Sequence, residues 1–430
     1  MKTGLTKIAA RAVGGAGGGT LFASANFMLS IALQQSSPAA VFGLYAFTQV
    51  VIITIGNFSG ALFGGPALVA LARGDVPEDT VLGSFFRANA VFCLAGGAAL
   101  AVISLFAGAS ETEAILLATL GAILLLRIFL RASVLALRKR REAAFSDLTY
   151  ALVVLVGLAV SFATVGISIV AIIAVQTLSS IISMLPISDV LGRSVRGSLR
   201  PVGGIYRNSF VRHGRWALAA TAANAVTANG YAYLLALGAG TAIFGPVALA
   251  TLLFRPLGVI LTGLIQFERP AMARKVVSRT PDALNSDVRF VMGMVGATWV
   301  ANLAAVAALI GLYPNLLLRE GYPADLFFTA LVLVAIVVLT RAMRDPQTAA
   351  LQAAGEYKDL ARVAFISAPV SLIAVLALWF AFPSQPSLVL LGALCGELTS
   401  LALVSRRYRT LLSSLRPAPA DVAPGRGGGD

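Results

Sequence analysis

The stretch AIFGPVALATLLFRPLGVILTGLIQF (242–267) sets Arg255, followed at once by Pro256, in the middle of an otherwise apolar run. A helix of about 20 apolar residues, rising about 1.5 Å per residue, covers the ~30 Å hydrocarbon core of a bilayer. A guanidinium facing lipid at mid-depth costs about 2.5–3.5 kcal/mol on insertion scales. Arg255 is therefore expected to face the bundle interior, a water-filled cavity or a counter-charge. Pro256 frees a carbonyl one turn earlier and is expected to serve as a hinge.

Similar runs fill the rest of the chain. Of its 430 residues 58% are hydrophobic and only 12% charged, against about a quarter charged in a soluble domain. Apolar runs at 12–33, 41–71, 81–106, 114–137, 148–165 and 167–187 make six spans. Runs at 215–237, 242–268, 290–312, 325–343, 362–382 and 387–404 make six more. The expected fold is an all-α polytopic membrane protein of about twelve transmembrane helices. The amino terminus mimics a signal peptide, but the apolar run continues to Leu33, so a retained first helix is expected.

The net charge of +14 would suggest nucleic acid in a soluble protein; in a membrane protein the positive-inside rule explains it first. The even-numbered gaps hold RGDVPED (73–79), RKRREAAFSD (138–147), 188–214, 269–289 and 344–362. Nearly all of the 33 Lys and Arg fall there or at the termini, and Arg319 stands on the opposite side. This asymmetry places both termini in the cytoplasm. The chain also repeats itself: VFGLYAFTQVVIITIGNFSGAL (41–62) aligns with IFGPVALATLLFRPLGVILTGL (243–264) at an offset of 202, superposing Phe42-Gly43 on Phe244-Gly245. Six spans return the chain to its starting side, so the repeat is parallel and implies a pseudo-two-fold along the membrane normal. The expected organisation is a six-helix lobe (1–187), a basic connector on the inner leaflet (188–214), a second six-helix lobe (215–410) and a Pro/Gly-rich disordered tail (411–430), with a central cavity between the lobes.

Enzymatic chemistry finds little support. His213 is the one histidine, Cys93 and Cys395 both sit in apolar runs, and no metal-ligand spacing or phosphate loop with its lysine occurs. The run GGAGGG (14–19) reads as close helix packing. Intramembrane ionisable residues are the candidates instead. Arg127 and Arg131 lie four apart on one helix face; Arg131 either snorkels to the interface or joins Arg127 in the cavity. Both, with Arg255, have the donor fork that suits phosphate. Glu397, the one carboxylate well inside an expected span, is either the counter-charge of Arg255 or the carrier of a coupling ion. Asn26, Asn57 and Asn224 either bond between helices or contact a polar substrate. Three deep arginines against one glutamate make a cavity selective for anions.

The first hairpin, QQSSPAAVFGLYAFTQ (34–49), with its small-polar turn and FGLY start to the second span, resembles the polysaccharide-repeat (Wzx-type) flippases of the multidrug/oligosaccharidyl-lipid/polysaccharide (MOP) exporter superfamily. Twelve spans and a basic inner connector agree with that likeness, which covers roughly 1–410. It implies a bacterial inner-membrane protein that flips undecaprenyl-pyrophosphate-linked oligosaccharides for O-antigen, capsule or exopolysaccharide export. The drive would be H+ or Na+ with no other cofactor, and the partners would be membrane lipid, a polysaccharide polymerase and chain-length machinery. The rival expectation is an ion-coupled multidrug exporter of the same fold. A membrane-embedded polymerase or ligase would need a long outward loop with catalytic residues, and the longest outward segment (312–325) is short.

Overall fold

A computed structural model describes residues 20–73, 75–199, 204–313 and 322–415. The glycine run 14–19, part of the connector (200–203), the loop bearing Arg319 and the tail 416–430 lie outside the described residues.

The apolar runs become helices because their backbone groups have no partner in hydrocarbon other than one another. The first lobe comprises α1 (20–36), α2 (Ala39–Ser59, continued through the π turn Gly60–Gly64 into Gly65–Arg73), α3 (Glu78–Phe106), α4 (Glu111–Ala136), α5 (Arg140–Thr164) and α6 (Ile169–Ile182). A connector helix α7 (Ser188–Ser198) follows. The second lobe comprises α8 (Arg215–Leu234), α9 (Thr241–Leu253), α10 (Arg255–Val277), α11 (Pro281–Leu312), α12 (Ala324–Ala353), α13 (Tyr357–Ala381) and α14 (Val389–Leu415). Nine described helices are long and apolar enough to cross a membrane, and α9 with α10 forms a tenth, broken span. The described part of α1 and the alanine-rich α8 hold the other two of the twelve expected positions. Local signals set the ends: Ser110 and Glu113 form a capping box at the start of α4, and Ser168 caps α6.

Within the first lobe α3 packs on α4, and α6 packs on α4 and α5; within the second, α14 packs on α12 and α13, and α10 on α11 and α12. The lobes meet where α2 lies against α9 and α8. At the end opposite the basic connectors one hydrophobic core runs through both lobes, joining Leu44, Phe47 and Val51 to Phe244, Val247 and Leu249. Toward the basic end it divides in two. One part is built on Phe63, Phe85 and Phe129, the other on Leu284, Val291 and Leu411. The lobes thus share a core at one end and part toward the other, where they still touch along the end of α2 and the start of α8.

The joint carries the internal repeat. A Cβ added at Gly43 would lie 2.8 Å from the carbonyl carbon of Thr241, and one added at Gly245 would lie 3.2 Å from that of Ala39, with the carbonyl oxygens nearer still. The offset of 202 carries Ala39 onto Thr241 and Gly43 onto Gly245, so the two contacts are mates across the pseudo-two-fold. Only glycine leaves room for backbone to cross backbone this closely.

Three expectations change. The span 242–268 is two helices meeting at Phe254 with a 42° bend, because Pro256 starts a new helix at a position where its missing N–H is harmless. The last helix continues to Leu415, whose side chain is buried, so 411–415 belong to the lobe and not to a disordered tail. The first half of the connector is docked on protein. Arg193 pairs with Glu78 and Asp79, both at 2.6 Å, and Gly197 packs against the Asp79 backbone, so this arginine is turned away from lipid headgroups.

Candidate functional site

Between the parted lobes lies a cavity of about 790 Å³. Its wall comes from α1, α2, α4 and α6 on one side and from α9, α10 and α12 on the other. Much of the wall is apolar, with Phe22, Ile52, Leu124, Ile128, Phe254 and Leu261 among its residues. Its charged members are Arg131, Arg255, Arg341 and Asp345.

Arg255 is the first residue of α10 and opens onto this cavity, as do Leu257, Gly258 and Val259 of the same first turn. Among the described residues it forms no ion pair. A helix start carries about half a positive charge, so guanidinium and helix end together favour an anion. A broken span that presents a half-helix N-terminus to the middle of a membrane protein is a recurrent way to hold an anionic substrate group.

The other two deep arginines of the sequence are placed differently. Arg127 is sealed. It donates to Asp147 Oδ1 at 2.8 Å and to Ser183 Oγ at 2.7 Å, and its guanidinium lies over the adjoining rings of Phe22 and Tyr150. Its side chain is 2% exposed and that of Asp147 1%, so Arg127 is a structural ion behind the wall and not a cavity cation. Arg131 bonds the same carboxylate through Nε and a terminal nitrogen, yet stays 32% exposed and lines the cavity. It neither snorkels nor stands free.

Glu397 does not pair with Arg255. It is 1% exposed and held by Arg341 through Oε1 at 2.8 Å and by Arg344 through Oε2 at 2.7 Å. Arg341 remains 34% exposed and turned to the cavity. Each lobe therefore buries one carboxylate between two arginines of its fourth span, α4 in the first lobe and α12 in the second. The carboxylate that reaches the cavity is Asp345, whose contact with Arg344 is a loose 3.4 Å. Altogether five arginines (Arg127, Arg131, Arg255, Arg341, Arg344) surround three carboxylates (Asp147, Asp345, Glu397), leaving two positive charges in excess.

Asn26 and Asn57 line the cavity; Asn224 is exposed and does not. Asn26 accepts hydrogen bonds from Tyr150 Oη at 2.9 Å and Gln176 Nε2 at 2.8 Å, and Gln176 pairs with Gln49 at 3.2 Å. This neutral network knits α1, α2, α5 and α6. The asparagine that bonds between lobes is Asn229, which donates to Thr54 at 3.1 Å.

The residues missed by sequence are Asp147, Arg341, Arg344 and Asp345. Asp147 ended a run assigned to a cytoplasmic loop, but α5 begins at Arg140 and carries it two turns into the lobe. Arg341 and Arg344 closed a span whose charged end read as membrane boundary. Their spacing of three, close to the four of Arg127 and Arg131, was the available signal.

Two helical lobes joined at one end around a central cavity are the architecture of solved transporters of the MOP superfamily. No family model and no curated protein matches the chain. Among solved structures, an inward-facing conformation of a multidrug resistance MATE family transporter of the MOP superfamily aligns with a TM-score of 0.66 at 15% identity, over 92% of this chain and 95% of that one. A eukaryotic MATE transporter aligns with a TM-score of 0.66 at 13% identity, over 96% and 100%. A MOP superfamily transporter from Pyrococcus furiosus, described as having a binding pocket of reverse polarity, aligns with a TM-score of 0.60 at 15% identity, over 95% and 96%. At these identities the likeness is one of fold. It places the chain beside MATE transporters and leaves the Wzx-type resemblance of the first hairpin unsupported at the level of family.

Proposed function

We propose that this protein is an alternating-access exporter of amphiphilic compounds whose polar part is an anion. The observation that carries the proposal is Arg255, a deep guanidinium at the start of α10, facing the inter-lobe cavity without a carboxylate partner among the described residues. Arg131 and Arg341, partly exposed although each is paired with a carboxylate, add positive charge on the opposite and adjacent walls. The apolar wall suits the rest of an amphiphile, and the parting of the lobes toward the basic end gives access from the side where the positive-inside rule sets the cytoplasm.

The solved neighbours support drug export more strongly than lipid flipping, since those named for a substrate class are multidrug transporters. The charge of the cavity supports anionic over cationic cargo. Within that class, an undecaprenyl-pyrophosphate-linked oligosaccharide is the narrower reading, supported by the first hairpin and by the fit between guanidinium forks and phosphate oxygens. Coupling to H+ or Na+ belongs to the proposal. Asp345, loosely held and in the cavity wall, is placed to take the ion, whereas Glu397 is fully occupied by its two arginines.

The test is transport in vesicles containing the purified chain. An amphiphilic fluorescent sulfonate should be moved, a cationic dye of similar size should not, and Arg255→Gln should abolish movement of the first. Export of the cationic dye, undiminished in Arg255→Gln, would overturn the proposal. A labelled polyprenyl pyrophosphate in the same vesicles separates the lipid-linked substrate from small anions.

A further inference from the structure

A second cavity, of about 450 Å³, lies away from the lobe interface, inside the second lobe at its basic end. The first turns of α11 supply Asn285 and Arg289, the last turns of α14 supply Ser405, Tyr408 and Arg409, and α12 supplies Gln347. Arg289 and Arg409 stand exposed at its mouth, and neither forms an ion pair among the described residues. The nearest acid in sequence, Asp287, is taken by Lys275.

The inner wall offers donors. Ser405 Oγ donates to Gln347 Oε1 at 2.7 Å, and Tyr408 Oη donates to Asn285 Oδ1 at 3.4 Å. Both amides thus have their oxygens engaged. Gln347 Nε2 has only the Met292 thioether, at 4.0 Å, and Asn285 Nδ2 has no hydrogen bond among the described residues. Gln347 is 9% exposed, so its amide N–H groups are held in place in the wall of the cavity that Arg289 and Arg409 also line. Two positive charges over two amide donors form a site for phosphate oxygens.

Depth identifies the carrier of that phosphate. Arg289 lies eight residues after the start of α11 at Pro281, and Arg409 six before the end of α14 at Leu415. At about 1.5 Å per residue both sit roughly 10 Å inside the helix ends, near the border of headgroups and acyl chains. Phe290 and Met294, 46% and 42% exposed, flank the site on α11 and offer an apolar path for acyl chains. Basic pockets between spans on the inner side of a membrane protein bind anionic headgroups. We propose that this pocket binds the phosphodiester headgroup of an anionic phospholipid, independently of what passes through the central cavity.

The experiment uses the full chain purified in detergent, with bound lipid measured by native mass spectrometry after titration with phosphatidylglycerol or phosphatidylcholine. The intact protein should retain phosphatidylglycerol selectively. The double variant Arg289→Gln/Arg409→Gln should lose affinity about thirtyfold, at about fivefold per guanidinium. Arg406→Gln, outside the pocket on the same helix, should bind as before. The charge-keeping pair Arg289→Lys/Arg409→Lys should retain most of the binding, which separates loss of the site from loss of the fold. Retention of phosphatidylglycerol by the glutamine pair at the level of the unaltered chain, equal retention of phosphatidylcholine, or occupation by inorganic phosphate in place of lipid would overturn the proposal.

Discussion

Alanine at Gly43 should open the end of the cavity that α2 and α9 close. The added Cβ would lie 2.8 Å from the Thr241 carbonyl carbon, where ordinary contact begins at 3.4 Å, and nearer still to the carbonyl oxygen. The obstructing atoms are backbone, so no side-chain rotation relieves the clash, and the helices must separate by at least about 0.6 Å along that line. Overpacking of a fitted contact costs about 1–3 kcal/mol. The cost falls on the closed joint alone, because the contact is lost once the lobes part at this end. The equilibrium should then shift toward the open joint by about fivefold to a hundredfold. Gly245→Ala should shift it less, its corresponding distance to Ala39 being 3.2 Å, and Gly293→Ala, with nothing within 4 Å, should not shift it at all. Spin labels at Ser36 and Ala242, in a chain freed of Cys93 and Cys395, report the separation by double electron–electron resonance. Both labelled positions are exposed and lie beside the joint. A distance distribution unchanged by Gly43→Ala in a folded protein, or a larger effect at Gly245, would refute the reasoning.

Asp147→Asn should destabilise the chain by about 3–5 kcal/mol, because it leaves Arg127 buried and uncompensated beside Arg131; thermal unfolding in detergent measures it. Glu397→Gln should cost less, since its partners Arg341 and Arg344 are 34% and 17% exposed and water relieves part of the loss. Arg255→Gln should leave the unfolding temperature unchanged or slightly raised while removing anion binding, an outcome opposite to that of Arg127→Gln, which should unfold the first lobe. A fall in stability at Arg255 comparable to that at Arg127 would mean that Arg255 too has a structural partner.

Sequence periodicity and charge asymmetry sufficed for the fold because the bilayer imposes both: spans must be apolar for about 20 residues, and connectors sort by charge. The repeat of Phe-Gly at an offset of 202 also carried more than it promised, since those glycines are the two halves of one crossing. Ion pairing was not legible. Arg127 and Arg255 are equally deep in sequence, yet one is sealed by an aspartate twenty residues away on the next helix and the other is not. Nothing in a hydropathy pattern states the rotation of a helix about its own axis, and that rotation decides which guanidinium meets a carboxylate. Phe254 shows the same limit. A proline in an apolar run permits a kink or a new helix start, and the packing of α10 against α11 and α12 selects the second.

The distribution of buried charge bears on how such a protein moves. Each lobe ties its fourth span to a neighbour through a carboxylate gripped by two arginines: α4 to α5 through Asp147, and α12 to α14 through Glu397. Removing Asp147 leaves the sealed Arg127 unpaired, a cost of about 3–5 kcal/mol, and removing Glu397 costs less because Arg341 and Arg344 are partly exposed. Between the lobes the described bonds are of another kind: a crossing of glycines on backbone and the Asn229–Thr54 hydrogen bond, worth about 1 kcal/mol net. Ionic ties are thus confined within the lobes among the described residues, and the joint is a shared apolar core whose non-directional contacts permit two bodies to rock about a central site. Arg255 stands at the break in the one broken span among the described residues, outside both clamps. On the proposed function, a cation without a carboxylate partner among the described residues raises the energy of the empty cavity, and an anionic substrate that neutralised it would gain what Asp147 and Glu397 already supply to the other arginines.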